Sequence, residues 1–299
     1  MNDNFEESYK MAQPKKVNYL NNKDILKEIH KSKMTFCWIA DEKYSGFDVI
    51  LGDVNKINKN SIKVARENKA ALIQYEAYHV AMKDHDPKDY RNKPKQKEFA
   101  VDPKSLAKED LVFRVMTQEH IPLDPGRKKN PRNESETKAK VNFPPFKHYA
   151  FINDEVTEVA RSHWEGSLSN GNFNPEHGKI TNKLGTMFLK LVERYSHRGN
   201  WRGYTYVDEM RGQALVQLSY IGLQFNEQKS DNPFAYYTAA VNNSFTRVLN
   251  LEKRNQMIRD DILIEQGHLP SYGRQIQHEN ELRELREAAI DNETSKTSN

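Results

Sequence analysis

The 299-residue sequence holds a single cysteine, Cys37. That excludes an intramolecular disulfide and any cysteine-rich zinc site, and it suits a reducing compartment. Long apolar runs are missing, so no membrane span is expected, and the opening MNDNFEESYK lacks the order of a signal peptide. Hydrophobic residues make up 36% of the chain and the mean hydropathy is −0.91, so a modest core with loosely ordered parts is expected. Neither sign of charge dominates: 46 basic residues face 42 acidic ones, for a net charge of +4. Such a balance permits nucleic-acid binding without demanding it, and the placement of the basic residues decides. The sequence has no P-loop, no G-x-S-x-G, no H-E-x-x-H and no dinucleotide-binding glycine pattern. No catalytic residue, metal site or cofactor is therefore assigned. His79 and His85, with Asp84 and Asp86, stand in a charged connector and read as solvated rather than metal-binding. His163-Trp164-Glu165 and His177 read as surface residues, and Cys37, inside an apolar strand pattern, as a buried structural thiol.

What the sequence does have is concentrated between Lys179 and Arg254, where three helices are expected. Thr181 suits an N-cap, and Leu184, Met187, Phe188, Leu191, Val192 and Tyr195 recur at helical spacing behind it. Thr205-Tyr206-Val207-Asp208 has the capping-box pattern, and Met210, Ala214, Leu215, Leu218 and Ile221 continue as an apolar stripe. After a polar turn at 229–232, Asn232-Pro233 places a cap and an N1 proline before a third helix. Phe234, Tyr237, Val241, Phe245 and Val248 form its inner face.

The opposite face of that helix carries Tyr236, Ala240, Asn243, Arg247, Asn250 and Arg254, spaced so that they share one side. A ring, amides and guanidiniums in one stripe suit nucleic acid: arginine meets phosphate, amides meet base edges, and the ring stacks on an unpaired base. A solvated helix face that happens to carry one tyrosine is the other reading of the same pattern.

The order of these features resembles region 2 of bacterial sigma factors, the helical module that docks on core RNA polymerase and melts the promoter −10 element. The resemblance rests on the capped helix with Glu209-Met210, the apolar run to Phe225, Phe234-Ala235-Tyr236-Tyr237-Thr238, and Thr246-Arg247. Gly203-Tyr204-Thr205, Gly222-Leu223, Asn232-Pro233, Ala235-Tyr236 and Phe245 are closer to the late-transcription sigma factors of T4-like bacteriophages, as is NYLNNKDILKEI at residues 18–29. The similarity covers about a third of the chain. It implies a non-enzymatic promoter-specificity subunit from a related phage, such as a cyanophage, acting in the cytoplasm of the infected bacterial host. Host core polymerase and promoter DNA are the implied partners, and the family admits a phage coactivator and the replication sliding clamp. Glu209, Gln213 and Gln217 fall on the polymerase-binding helix. Tyr236, Asn243, Thr246, Arg247 and Arg254 are assigned to DNA, with Tyr236 where an aromatic stacks on a flipped adenine. Two departures stand out. Bacterial factors have two tryptophans where this chain has Ala239 and Ala240. The end AIDNETSKTSN lacks the hydrophobic and acidic motif through which the phage factors bind the clamp. Without the tryptophan wedge, melting should favour an easily opened, A·T-rich site.

The expected fold class is mainly α, a region 2-like bundle interrupted by a large α+β or loosely ordered insertion. Residues 1–16 read as a disordered tail, 17–33 plus 176–264 as the helical domain, 34–175 as the insertion, and 265–299 as a polar C-terminal extension with a helical stretch at 275–289. The short helix with Ile25, Leu26 and Ile29 is too short to stand alone and should pack on the three helices. Within the insertion, 35–39 and 47–51 are strand-like and suit a hairpin, 60–82 reads as a helix and 111–116 as a strand, with 141–149 extended. The loop with Arg127, Lys128, Lys129 and Arg132 is either a linker or a phosphate contact. No second helix-turn-helix pattern follows Arg254, so no domain for a −35 element is expected. The alternative is a nucleic-acid-processing enzyme whose site lies in 34–175, with Asp41, Glu42, Asp48 and Asp53 as conceivable magnesium ligands.

Overall fold

The computed structural model describes residues 20–86, 92–126, 129–175 and 179–297, with side chains to residue 290. The expectations for the tail at 1–16, for Arg127 and Lys128, and for His177 lie outside the described residues. The fold is mixed, mainly helical, with a five-stranded sheet. No helix among the described residues is long and apolar enough to cross a membrane.

Helix α1 (Asn22–Met34) is capped by Asn21, whose side chain accepts from the Lys23 amide. It packs on α4 (Asn182–Ser196) and α6 (Pro233–Glu265). Ile25 and Ile29 are buried in one cluster with Leu184, Met187, Phe188, Tyr237 and Phe245, and Leu26 packs at its edge. These contacts link residues more than 150 positions apart in sequence. Helix α5 (Val207–Ile221) closes the group through Met210, Ala214 and Leu218.

Between α1 and α4 the chain builds the sheet. Its strands are β1 (Cys37–Ile39), β2 (Val49–Leu51), β3 (Val112–Met116), β4 (Phe146–Ile152) and β5 (Glu155–Ser162), in the order β1-β5-β4-β3-β2. Helix α2 (Lys59–Asp84) lies between β2 and β3, which pair in parallel with Val49 opposite Phe113. A parallel pair needs such a crossover. The hairpin expected from 35–39 and 47–51 does not form: β1 and β2 are opposite edges of the sheet. The link between them is too structured to be a turn. Asp41 caps a short 3-10 helix, Tyr44 is buried, and the Asp48 amide bonds the Val112 carbonyl at 2.8 Å. The true hairpin is β4–β5, turning at Asn153 and Asp154, both at positive φ (52° and 64°). A two-residue turn with two left-handed residues matches the twist of the strands, and Asn and Asp tolerate that region best after Gly.

A four-residue helix, α3 (Glu134–Thr137), and a two-stranded pair, β6 (Trp164–Glu165) with β7 (Asn172–Phe173), complete the insertion. The last helix, α7 (Tyr272–Thr297), runs beyond both ends of the stretch expected at 275–289. Gly267, at φ 75°, ends α6, and Asp260 accepts from the amide and hydroxyl of Ser271 at 2.8 and 2.7 Å to fix the corner into α7.

The sheet and the helices share their interior. Phe143 and Phe146 belong to the helical core cluster. Next to them lies a buried charge cluster. Lys33 on α1 donates to Glu227 Oε1 and to the Phe225 carbonyl, each at 2.7 Å. Arg114 on β3 stands 3.7 Å from the same carboxylate, between the rings of Phe47 and Phe146. Its Nε donates to His148 Nε2 at 3.0 Å, and His148 Nδ1 then donates to the Tyr44 carbonyl at 2.8 Å. Lys33 and Arg114 are fully buried.

Candidate nucleic-acid interface

The site residues stand on α5 and α6, and the caps of both flanking helices follow local chemistry. Thr181 Oγ1 accepts from the Leu184 amide at 3.2 Å, and Asn232 Oδ1 from the Ala235 amide at 3.1 Å with Pro233 at N1. The capping box expected at Thr205 is absent: Tyr206 is the N-cap and makes no side-chain cap bond. Asp208 bonds Arg211 at 2.9 Å instead of reaching back, and Arg211 also donates to Ser196 Oγ on α4. The aromatic run Trp201, Tyr204 and Tyr206, with ring centroids 6.3 and 5.2 Å apart, sets this entry. Packing has overridden the capping pattern.

Two hydroxyls lock α6 to its neighbours. Tyr195 donates to Asn242 Oδ1 at 2.6 Å, and Tyr237 donates to the Gly222 carbonyl. Gly222 is there because the chains are close: a Cβ would stand 2.7 Å from the Leu218 carbonyl oxygen and 2.9 Å from the Phe188 ring.

Between α5 and α6 runs an open groove of about 430 Å³. Gln213 and Gln217 line it from α5, and Tyr236, Asn243 and Arg247 from α6. Tyr236 is half-buried, its ring edge-on to Phe225 at 5.5 Å and to Tyr237 at 5.2 Å. Burial pushes its hydroxyl above the usual phenol value. Asn243 and Arg247 are exposed, and Arg247 has no ion-pair partner among the described residues. Ala239 and Ala240 line the groove too, so small side chains keep it open.

The structure thus gathers five of the residues singled out from sequence, and in doing so places two groups in one groove: the α5 amides assigned to polymerase adjoin the α6 stripe assigned to DNA. Three residues do not join them. Glu209 is exposed near the start of α5, Thr246 is half-buried outside the groove, and Arg254 is exposed about 10 Å further along α6 than Arg247.

Elsewhere, His163 is no surface residue. It is fully buried at φ 55°, its ring tilted against Phe143 with centroids 4.0 Å apart. Its place at the end of β5, beside Ser162, turns it inward. Cys37 directs its thiol to the Lys33 carbonyl at 3.2 Å, and burial pushes the thiol up to about 12. Of the insertion carboxylates, Asp41 and Asp53 cap 3-10 turns, and Asp48 accepts from the Val112 amide and lies 3.6 Å from Lys69. His79 packs against the rings of Tyr75 and Tyr78. Among the described residues no group of three or more His, Cys, Asp or Glu is arranged to hold a metal ion.

Sequence reasoning missed the Lys33, Arg114 and Glu227 cluster. A signal was present: Lys33 continues the Ile25, Ile29 spacing, so a lysine stands on the apolar stripe of α1. No family model, curated protein or solved structure matches the chain.

Proposed function

We propose that the chain is a promoter-specificity subunit of the sigma type, acting on host core RNA polymerase in the infected bacterium. In this reading α6 faces the non-template strand of an A·T-rich, −10-like element, and α5 offers Glu209 and Gln213 to the polymerase. The observation that carries it is the α6 side of the α5–α6 groove, which combines a half-buried ring, the Asn243 amide and an unpaired guanidinium on one open surface. Those groups match the needs of an unpaired strand: a stacking platform, base-edge hydrogen bonds and a phosphate contact. The alanines at 239 and 240 leave no wedge, so the site favours a duplex that opens readily.

The test is retention of the full chain on bacterial core polymerase, then initiation mapping by the reconstituted holoenzyme on A·T-rich templates. A parallel incubation of the free chain with magnesium and DNA checks for cleavage. Retention with site-specific initiation supports the proposal. Cleavage without retention overturns it in favour of a nucleic-acid-processing enzyme.

A further inference from the structure

A second cavity, of about 620 Å³, opens between the insertion and the far end of α5. One wall is the segment 138–145, which carries Lys138 and Lys140; the other is Tyr220 and Gln224. Gln118 forms part of the lining, and its Oε1 is buried without a hydrogen-bond partner among the described residues. Tyr220 is 67% exposed, so its ring is accessible at the cavity edge.

The insertion wall is held in place by contacts on both sides. Lys138 bridges to Leu123, and the Ala139 amide bonds the Pro122 carbonyl at 2.9 Å. Beyond the cavity, Phe143 is buried in the main core and Thr117 donates to the Pro145 carbonyl at 3.3 Å. A wall pinned at both ends needs no backbone ordering at binding, so only the lysine side chains lose freedom there.

The two cavities are neighbours on one helix. Gln213, Gln217 and Ile221 line the first, and Tyr220 and Gln224 the second. From Gln213 to Ile221 is about 12 Å of helix. A strand leaving the first groove along α5 meets the second within that distance.

We propose that this second cavity takes an unpaired nucleotide of the same strand, its base against Tyr220 and the Gln118 amide and its phosphate at Lys138 and Lys140. The inference rests on the strand-binding reading of the first groove and gives the insertion a part in it. The chemistry is complementary: a ring for stacking, side-chain amides for a base edge, and two ammonium groups for phosphate. It makes the insertion a component of the strand path and extends the footprint beyond α6.

The experiment uses the full chain, alone and assembled with bacterial core polymerase. The probe is a short A·T-rich single strand with a 5-iodouracil placed at successive positions. A crosslink to Tyr220 is expected at a position distinct from any crosslink to Tyr236. Tyr220→Ala should weaken strand binding by about five- to hundredfold. Lys138→Ala with Lys140→Ala should lower the salt slope by about 0.7 for each phosphate that is no longer neutralised. All three side chains are at least partly exposed, so the variants should fold. The proposal falls if neither Tyr220→Ala nor the lysine pair changes strand binding in either setting while Tyr236→Ala does. It also falls if Tyr220→Ala lowers polymerase retention with the crosslink and strand affinity unchanged, since the surface is then a protein contact. If Tyr236 and Tyr220 are both without effect, the strand-binding reading fails along with it. Dependence on Tyr220 without dependence on Tyr236 also overturns it, because no strand then runs from the first groove into the second.

Discussion

Glu227 lies 2.7 Å from Lys33 and 3.7 Å from Arg114, two cations with no exposed side-chain surface. Burial lowers Lys33 to about 8 and Arg114 to about 10. Burial would raise Glu227, but the His30 ring 3.3 Å away and the charges of Lys33 and Arg114 hold it well below the usual carboxylate range. Removing one partner of a buried pair costs about 3–5 kcal/mol, because the other charge stays behind. Glu227→Gln should therefore lower the unfolding free energy in urea by about that amount. Adding Lys33→Met should restore part of the loss, and a double-mutant cycle measures the coupling. Three histidines set the acid limit. Burial lowers His30 and His120 to about 4, and His148 well below its ordinary value. Each folded value lies below the unfolded one of about 6.5. Their neutral forms stabilise the fold above pH 6.5, and that stability is lost as pH falls toward 4, where the unfolded chain binds more protons. Urea midpoints should fall steadily from pH 6.5 to pH 4, and His120→Asn should make the fall shallower. These histidines and cations share one feature that composition hides: they are buried by partners far away in sequence.

At the scale of elements, α6 begins with Asn232 and Pro233 and presents both its inner face and the groove stripe from that start. Asn232→Ala removes one cap bond and should cost about 1 kcal/mol, read as a lower urea midpoint at unchanged m-value. The caps at Thr181 and Asn232, the inner faces of α4 and α6, and the extents of α2 and β3 were legible because each depends on residues within a turn or two. Tyr236, Asn243 and Arg247 were legible as one side of a helix for the same reason. What Gln213 and Gln217 face was not, since that depends on how α5 crosses α6. The α5 cap failed because Arg211 captures Asp208, and β1 and β2 do not form the expected hairpin because β1 pairs with β5 and β2 with β3, on opposite edges of the sheet. The β4–β5 hairpin could have been found. Asn153-Asp154 between two alternating runs is a turn signal, and the prolines just before it drew the segment toward an extended reading instead.

At the scale of the whole molecule, the insertion and the helices share one interior, since Phe143, Phe146 and Arg114 join α1, α4 and the α5–α6 loop. Replacing residues 35–178 by a short linker should therefore expose Lys33 and Glu227 and leave the helical part prone to aggregation, checked by chromatography of the shortened chain. An interior shared in this way also fixes the groove, because the ring of Phe225 holds Tyr236 edge-on while its carbonyl receives Lys33. Function can then be divided between melting and backbone attraction. Tyr236→Ala removes a stacking surface of about 1–3 kcal/mol, and on a duplex promoter it should reduce open complex by roughly five- to hundredfold. On a promoter already mismatched at the −10-like element the opening rate should suffer less, because the unpairing it helps to drive has been done. Arg247→Ala should act differently from Tyr236→Ala. If it meets phosphate, it weakens all sequences alike and lowers the salt slope by about one. If it meets a base edge, it relaxes preference at one position. Arg254, outside the groove, should show only the phosphate pattern. Permanganate footprinting of the melted region and salt-titrated binding, both with holoenzyme, separate these outcomes. Duplex opening by Tyr236→Ala at the wild-type rate would mean that the groove does not melt DNA, and the α6 stripe would then be a solvated helix face.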